Sequence, residues 1–128
     1  MRHDLISDVF STINNGDRIG KKEVLVPRSK LAKEVLLLMQ KYGYIGEFEE
    51  VINNKGGCLK VKLLGKINKC NSIRPRHSVK VSEFEKFERR FLVAKGVGFL
   101  IVSTPKGIMT QNDAKKRNIG GILIGYVY

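Results

Sequence analysis

The chain is 128 residues long, 42% hydrophobic and 28% charged, and its 24 lysines and arginines against 12 aspartates and glutamates give a formal net charge of +12. That composition is globular and supports one compact unit or two very small ones, which argues against wholesale disorder. The longest apolar run, residues 35–39, falls far short of the about 20 residues that cross a bilayer, Met1-Arg2-His3-Asp4 begins no signal peptide, and Cys58 and Cys70 are too few for a disulfide framework, so a cytoplasmic protein with reduced thiols is expected.

After Asp4, the residues Leu5, Ile6, Val9, Phe10 and Ile13 recur at helical spacing and predict a first helix that Asn14-Asn15-Gly16 closes. A strand over 23–26 stops at Pro27, which has no amide to give a ladder. Ser29 then caps a second helix carrying Leu31, Val35, Leu36, Leu38, Met39 and Tyr42, with Gly43 as its stop. Strands over 44–52 and 58–64 flank the polar loop Asn53-Asn54-Lys55-Gly56-Gly57 and read as a hairpin.

Strand pieces over 65–71 and 79–81 flank a basic connector, Arg74-Pro75-Arg76-His77. Ser82 with Glu85 fits a capping box, and Phe84, Phe87 and Phe91 follow at helical spacing as one buried stripe. Beyond Gly96 and Gly98 lies an apolar strand over 99–103, then Thr110 with Asp113 as a second capping box for a short helix, then Gly120-Gly121 leading into a last strand over 122–128. The fold class expected is α+β: two small packed subdomains, residues 1–65 a helix, strand, helix and hairpin, residues 66–128 mostly strands with short helices.

Charge divides unequally between these halves, +3 over residues 1–65 and +9 over residues 66–128. An excess of that size in a small folded chain points to a polyanionic partner, phosphate backbone first among them. Chemistry is sparsely represented. No Cys-x-x-Cys or paired histidines bring two soft ligands to one metal, Gly96-x-Gly98 lacks the third glycine of a dinucleotide fingerprint, and neither a catalytic constellation, a cofactor nor a small-molecule substrate is implied. Cys70 with His77 leaves open an alternative, a small basic thiol enzyme or interaction module.

The segment Ser103-Thr104-Pro105-Lys106-Gly107 differs in kind from these. It ends an apolar strand with two hydroxyls, a ring of fixed φ, an ammonium and a glycine, groups suited to ribose and phosphate. Lys115, Lys116 and Arg117 follow shortly after, and Arg74, Arg76 and Lys80 sit on or beside the basic connector, so the same half of the chain supplies a positive field.

The run Ser103-Thr104-Pro105-Lys106-Gly107-Ile108-Met109-Thr110, then Ala114, basic residues, and Ile119-Gly120-Gly121 before a strand ending Tyr126-Val127-Tyr128, closely resembles the signature of the family of ribosomal protein eight of the small subunit. Asp4, Asp8, Ile13-Asn14-Asn15-Gly16, Pro27 with Ser29-Lys30-Leu31, and Gly43-Tyr44-Ile45 with Phe48 resemble that family's first domain in the same order, and Arg74-Pro75 its linker. The stretch from Asn68-Lys69-Cys70 to Arg76 and the aromatic C-terminus are similar to the archaeal and eukaryotic branch. The resemblance implies a two-domain structural protein of the ribosome, without catalysis, that binds an irregular helix in the central domain of small-subunit rRNA, helps its assembly, and touches neighbouring ribosomal proteins. It also implies RNA contacts at Ser103, Thr104, Lys106 and Gly107. Pro105, Thr110, Lys115, Lys116, Arg117, Arg74, Arg76, Lys80, Ser29 and Lys30 complete the expected rRNA-binding set. Two positions depart from the family pattern: Pro105 stands where many relatives have a third hydroxyl residue, and Ile122 where relatives often have a charged or polar one.

Overall fold

A computed structural model describes residues 5–52, 57–73, 76, 78–94 and 96–128. The chain forms two compact units, Met1–Cys70 and Asn71–Tyr128. Both mix helices with antiparallel sheet, an α+β architecture.

The first unit contains α1 (Leu5–Arg18), β1 (Glu23–Pro27), α2 (Lys30–Lys41), β2 (Ile45–Val51) and β3 (Cys58–Leu63), with β3 between β1 and β2 in an antiparallel sheet. Strand alternation turns Val24, Val26, Leu59, Val61 and Leu63 inward, where α1 and α2 supply Val9, Phe10, Ile13, Val35, Leu36 and Met39. Each such fully buried side chain contributes about 1.5 to 3 kcal/mol by leaving water. Ser29 Oγ accepts from the Ala32 amide at 3.0 Å, the expected cap of α2. Residues 53–56 of the expected loop between β2 and β3 lie outside the described residues.

Contrary to expectation, α1 runs through Gly16 to Arg18. Gly16 is a packing glycine here, because a Cβ on it would come within 2.5 Å of Val24 Cγ1 and 3.1 Å of Leu63 Cδ1. The stop is Gly20, at φ +80, with Lys21 N donating to Gly16 O at 2.9 Å and Gly20 N to Asp17 O at 3.2 Å. The same pair of bonds closes α2 around Gly43. The strand piece expected over 65–71 is reduced to a start at Cys70. The amide of Gly65 donates instead to Asp17 Oδ1 at 3.0 Å and that of Cys70 to Asn14 Oδ1 at 3.2 Å, which ties this segment to α1.

β4 (Cys70–Ser72) starts at the last residue of the first unit, and the second unit continues with β5 (Ser78–Val79), a 3-10 turn over Val81–Glu83, α3 (Phe84–Phe91), β6 (Phe99–Thr104), β7 (Gly107–Thr110), α4 (Gln111–Lys116) and β8 (Gly121–Val127). The sheet order is β4-β8-β6-β7, with β5 also paired to β8. Phe84 and Phe87 are buried with Leu100, Val102, Met109 and Leu123, while Phe91 is half-buried and stacks on Tyr126 with centroids 5.4 Å apart. The capping interaction falls two residues earlier than Ser82 and Glu85 suggest: Lys80 N donates to Glu83 Oε1 at 2.9 Å, so the chain turns through a 3-10 segment before α3. β7 is an element the sequence pattern did not suggest, because its four residues merge with the preceding turn.

Gly16→Ala should lower stability despite the higher helix propensity of alanine. Overpacking a core typically costs about 1 to 3 kcal/mol, against a propensity gain of about 1 kcal/mol. Denaturant titration reads the balance, and a variant more stable than the parent would contradict the close packing of α1 on β1 and β3.

Candidate nucleic-acid interface

The expected turn is the tip of a β-hairpin. β6 and β7 pair from Ile101↔Thr110 to Thr104↔Gly107, which leaves Pro105 and Lys106 as the two-residue loop. Pro105 fixes its own φ, and Gly107 at φ +116 takes the backbone conformation that reverses the chain. Thr104 Oγ1 donates to Gly107 O at 2.8 Å and accepts from Lys106 N at 3.2 Å, and the residue is only 8% exposed. The threonine hydroxyl therefore shapes the tip from within. Ser103 is half-exposed, and its hydroxyl has no hydrogen-bond partner among the described residues.

An open groove runs beside this tip, lined on one side by Ser78, Val79, Lys80 and Val81, on the other by Ser103, Thr104 and Pro105, and along its base by Gly120, Gly121 and Ile122. Its width depends on the glycine pair. A Cβ on Gly121 would lie 2.3 Å from Ser103 O and one on Gly120 2.4 Å from Val79 O, so both neighbours of β8 can approach only because side chains are absent there. Ile122 is exposed and makes part of the groove apolar. Val81, Gly120, Gly121 and Ile122 were missed as site residues, although the paired glycines were the signal for them.

α4 is held behind the hairpin by two polar contacts. Thr110 Oγ1 accepts from Asp113 N at 3.2 Å as the expected helix cap, and the amide of Leu100 donates to Gln111 Oε1 at 2.7 Å. Thr110 is 1% exposed and is a buried cap. Asn118, at φ +55, ends the helix where glycine is usual, with Ile119 N donating to Ala114 O. The Lys115 ammonium is ion-paired with Glu88 of α3 and fastens α4 to that helix. Lys116, Arg117 and Lys106 are exposed with no ion pair among the described residues.

Of the expected set, then, the structure brings Lys80, Ser103, Thr104 and Pro105 to one groove, with Lys106 and Gly107 adjoining. Arg76 is exposed, and Arg74, Pro75 and His77 lie outside the described residues. Ser29 and Lys30 belong to the first unit, where they line a separate basic concavity with Arg28 and Lys33. Lys33 and Arg28 both reach Glu50 there.

Cys70 does not offer a nucleophile. It is 2% exposed, its thiol faces the Phe10 carbonyl at 3.5 Å, and burial, helped by the Asp17 carboxylate, pushes its pKa up to about 12. The thiolate is the reactive form, so the thiol is inert near neutrality. Among the described residues no group of three or more His, Cys, Asp or Glu side chains is placed to hold a metal ion, and no helix is long and apolar enough to cross a membrane.

The sequence matches a family described as Ribosomal protein S8 over residues 4–128, and the chain belongs to that family. It is accordingly a ribosomal protein of the small subunit, in a family of structural rRNA-binding components of translation and not of enzymes, which act at the ribosome in the cytoplasm.

The raised pKa of Cys70 makes a directional prediction. A group whose folded pKa is raised contributes stability in full below its ordinary value of 9.0 and loses it as pH rises toward about 12. The parent should therefore lose stability faster than Cys70→Ser between pH 9 and pH 11 in paired denaturation curves. Parallel curves would show that the thiol is not sequestered.

Proposed function

We propose that this member of the ribosomal protein S8 family seats the groove of its second unit on an irregular helix in the central domain of small-subunit rRNA and helps that domain assemble. The observation that carries the reading is the contrast between neighbouring hydroxyls: Thr104 is bonded within the hairpin tip, whereas Ser103, a lining residue of the open groove, has no hydroxyl hydrogen bond among the described residues. A hydroxyl on a rigid strand end makes a short directional contact with ribose or phosphate that only one RNA shape satisfies. Pro105 limits the freedom lost when the tip docks. The ammonium and guanidinium groups of Lys80, Lys106, Lys116 and Arg117, with Arg74 and Arg76 of the connector, supply attraction that almost any phosphate can satisfy. Ser29 and Lys30 would add a contact from the first unit. Neighbouring ribosomal proteins complete the set of partners.

Ser103→Ala should weaken binding to a central-domain rRNA fragment by about 1 kcal/mol, several-fold in Kd, and leave binding to a generic duplex unchanged. Lys106→Ala, Lys116→Ala and Arg117→Ala combined should weaken both RNAs and flatten the salt dependence, since each lost phosphate contact reduces the slope by about 0.7 to 0.9. Thr104→Ala should act first on the thermal stability of the hairpin. Filter binding at two salt concentrations, with melting curves for each variant, separates these effects. Equal loss on both RNAs for Ser103→Ala, or none, would overturn the assignment of shape reading to the groove.

A further inference from the structure

The first unit segregates its charge in a way its modest net value conceals. Residues 14–22 and 64–70 carry five cations, Arg18, Lys21, Lys22, Lys66 and Lys69, and a single acid, Asp17. The two segments are neighbours in space: Leu63 N donates to Lys22 O at 2.8 Å, Gly65 N to Asp17 Oδ1 at 3.0 Å and Cys70 N to Asn14 Oδ1 at 3.2 Å. The one acid of the cluster is thereby turned onto a backbone amide. All five cations are exposed, and none has an ion pair among the described residues. Glu23, which follows Lys22, is paired with Lys60 at 3.5 Å, and Glu47, Glu49 and Glu50 lie on the other edge strand, β2.

We infer that the paired loops at 18–22 and 64–69 form a second phosphate-binding surface, which grips the sugar–phosphate backbone of rRNA independently of the hairpin groove. Five cations without an ion pair on two adjoining segments repel one another, and a polyanion relieves that repulsion with release of its counterions. The segments are fixed by three backbone-anchored hydrogen bonds, so the cations gather there before RNA arrives. Ammonium groups on flexible stems read no base, so this surface adds affinity without sequence preference. The alternative occupant, an acidic face of a protein neighbour, is an outcome of the test below. The inference rests on the rRNA-binding reading of the preceding section and extends it to the unit with the lower net charge.

The experiment uses the full chain and naked small-subunit rRNA. One variant combines Lys21→Ala, Lys22→Ala, Lys66→Ala and Lys69→Ala, and a second replaces the same four by arginine. The alanine variant should keep the parent melting temperature, lose backbone protection in a hydroxyl-radical footprint at a segment other than the one lost by Ser103→Ala, and show a log affinity against log salt slope shallower by about 3, four contacts at about 0.7 to 0.9 each. The arginine variant should restore both readouts. An unchanged slope and footprint in the alanine variant, with parent binding intact, would overturn this inference and leave the groove reading standing. Intact RNA binding together with lost cross-links to a neighbouring protein in reconstituted subunits would assign the surface to protein and overturn it too. Absence of any parent footprint would overturn both readings.

Discussion

The second unit depends on one steric constraint, the passage of β8 between β5 and β6 at Gly120 and Gly121. Two carbonyl oxygens, of Val79 and Ser103, stand where the missing Cβ atoms would be. Because the backbones can come that close, the end of β6 and the segment after β5 lie on either side of a groove whose base is β8 itself. Any side chain at these positions would force the strands apart and move Ser103 relative to Lys80. The register Ser103↔Ile122 and Ser78↔Ile122 expresses the same constraint, since one residue of β8 serves as the reference for both walls.

Around that point the polar residues divide into those that build and those that remain available. Thr104, Thr110, Gln111 and Lys115 all look like surface chemistry in a list of residue types, yet each has a structural partner: the hairpin tip, the cap of α4, the Leu100 amide and Glu88. A buried donor or acceptor left without a partner costs about 1 to 3 kcal/mol, which is why these groups are bonded internally. What remains for a partner is Ser103, the exposed cations of the hairpin and α4, and the backbone of the groove. The helices α1, α2 and α4 are each closed by the same two-bond C-terminal motif.

Much of this arrangement was legible in the residues themselves. Ser29 before an apolar helical pattern and Gly43 after it mark α2 unambiguously, Pro27 ends β1, and the run beginning at Phe99 is a strand whose end carries the family's signature. Where the reading departed, a tertiary contact decided. Asn14-Asn15-Gly16 has the composition of a helix stop, but Gly16 packs against Val24 and Leu63 and the stop moves to Gly20. The Asp17 carboxylate and Asn14 amide oxygens accept from the amides of residues 65 and 70, which ties the segment up to Cys70 to α1. Nothing local to Thr104 distinguishes it from Ser103. Strand pairing alone brings Gly107 O within reach of one hydroxyl and leaves the other open.

Whether the groove walls, and not the sheet as a whole, meet the rRNA is read by amide hydrogen exchange of the full chain, measured free and bound to a central-domain fragment of small-subunit rRNA. Exchange should slow at Lys80, Val81, Lys106 and Gly107 on binding, with the amides of β6 at Leu100 to Val102 already slow in the free protein and unchanged. Binding that left the hairpin tip and the Lys80 segment exchanging as in the free protein would contradict contact at the groove walls.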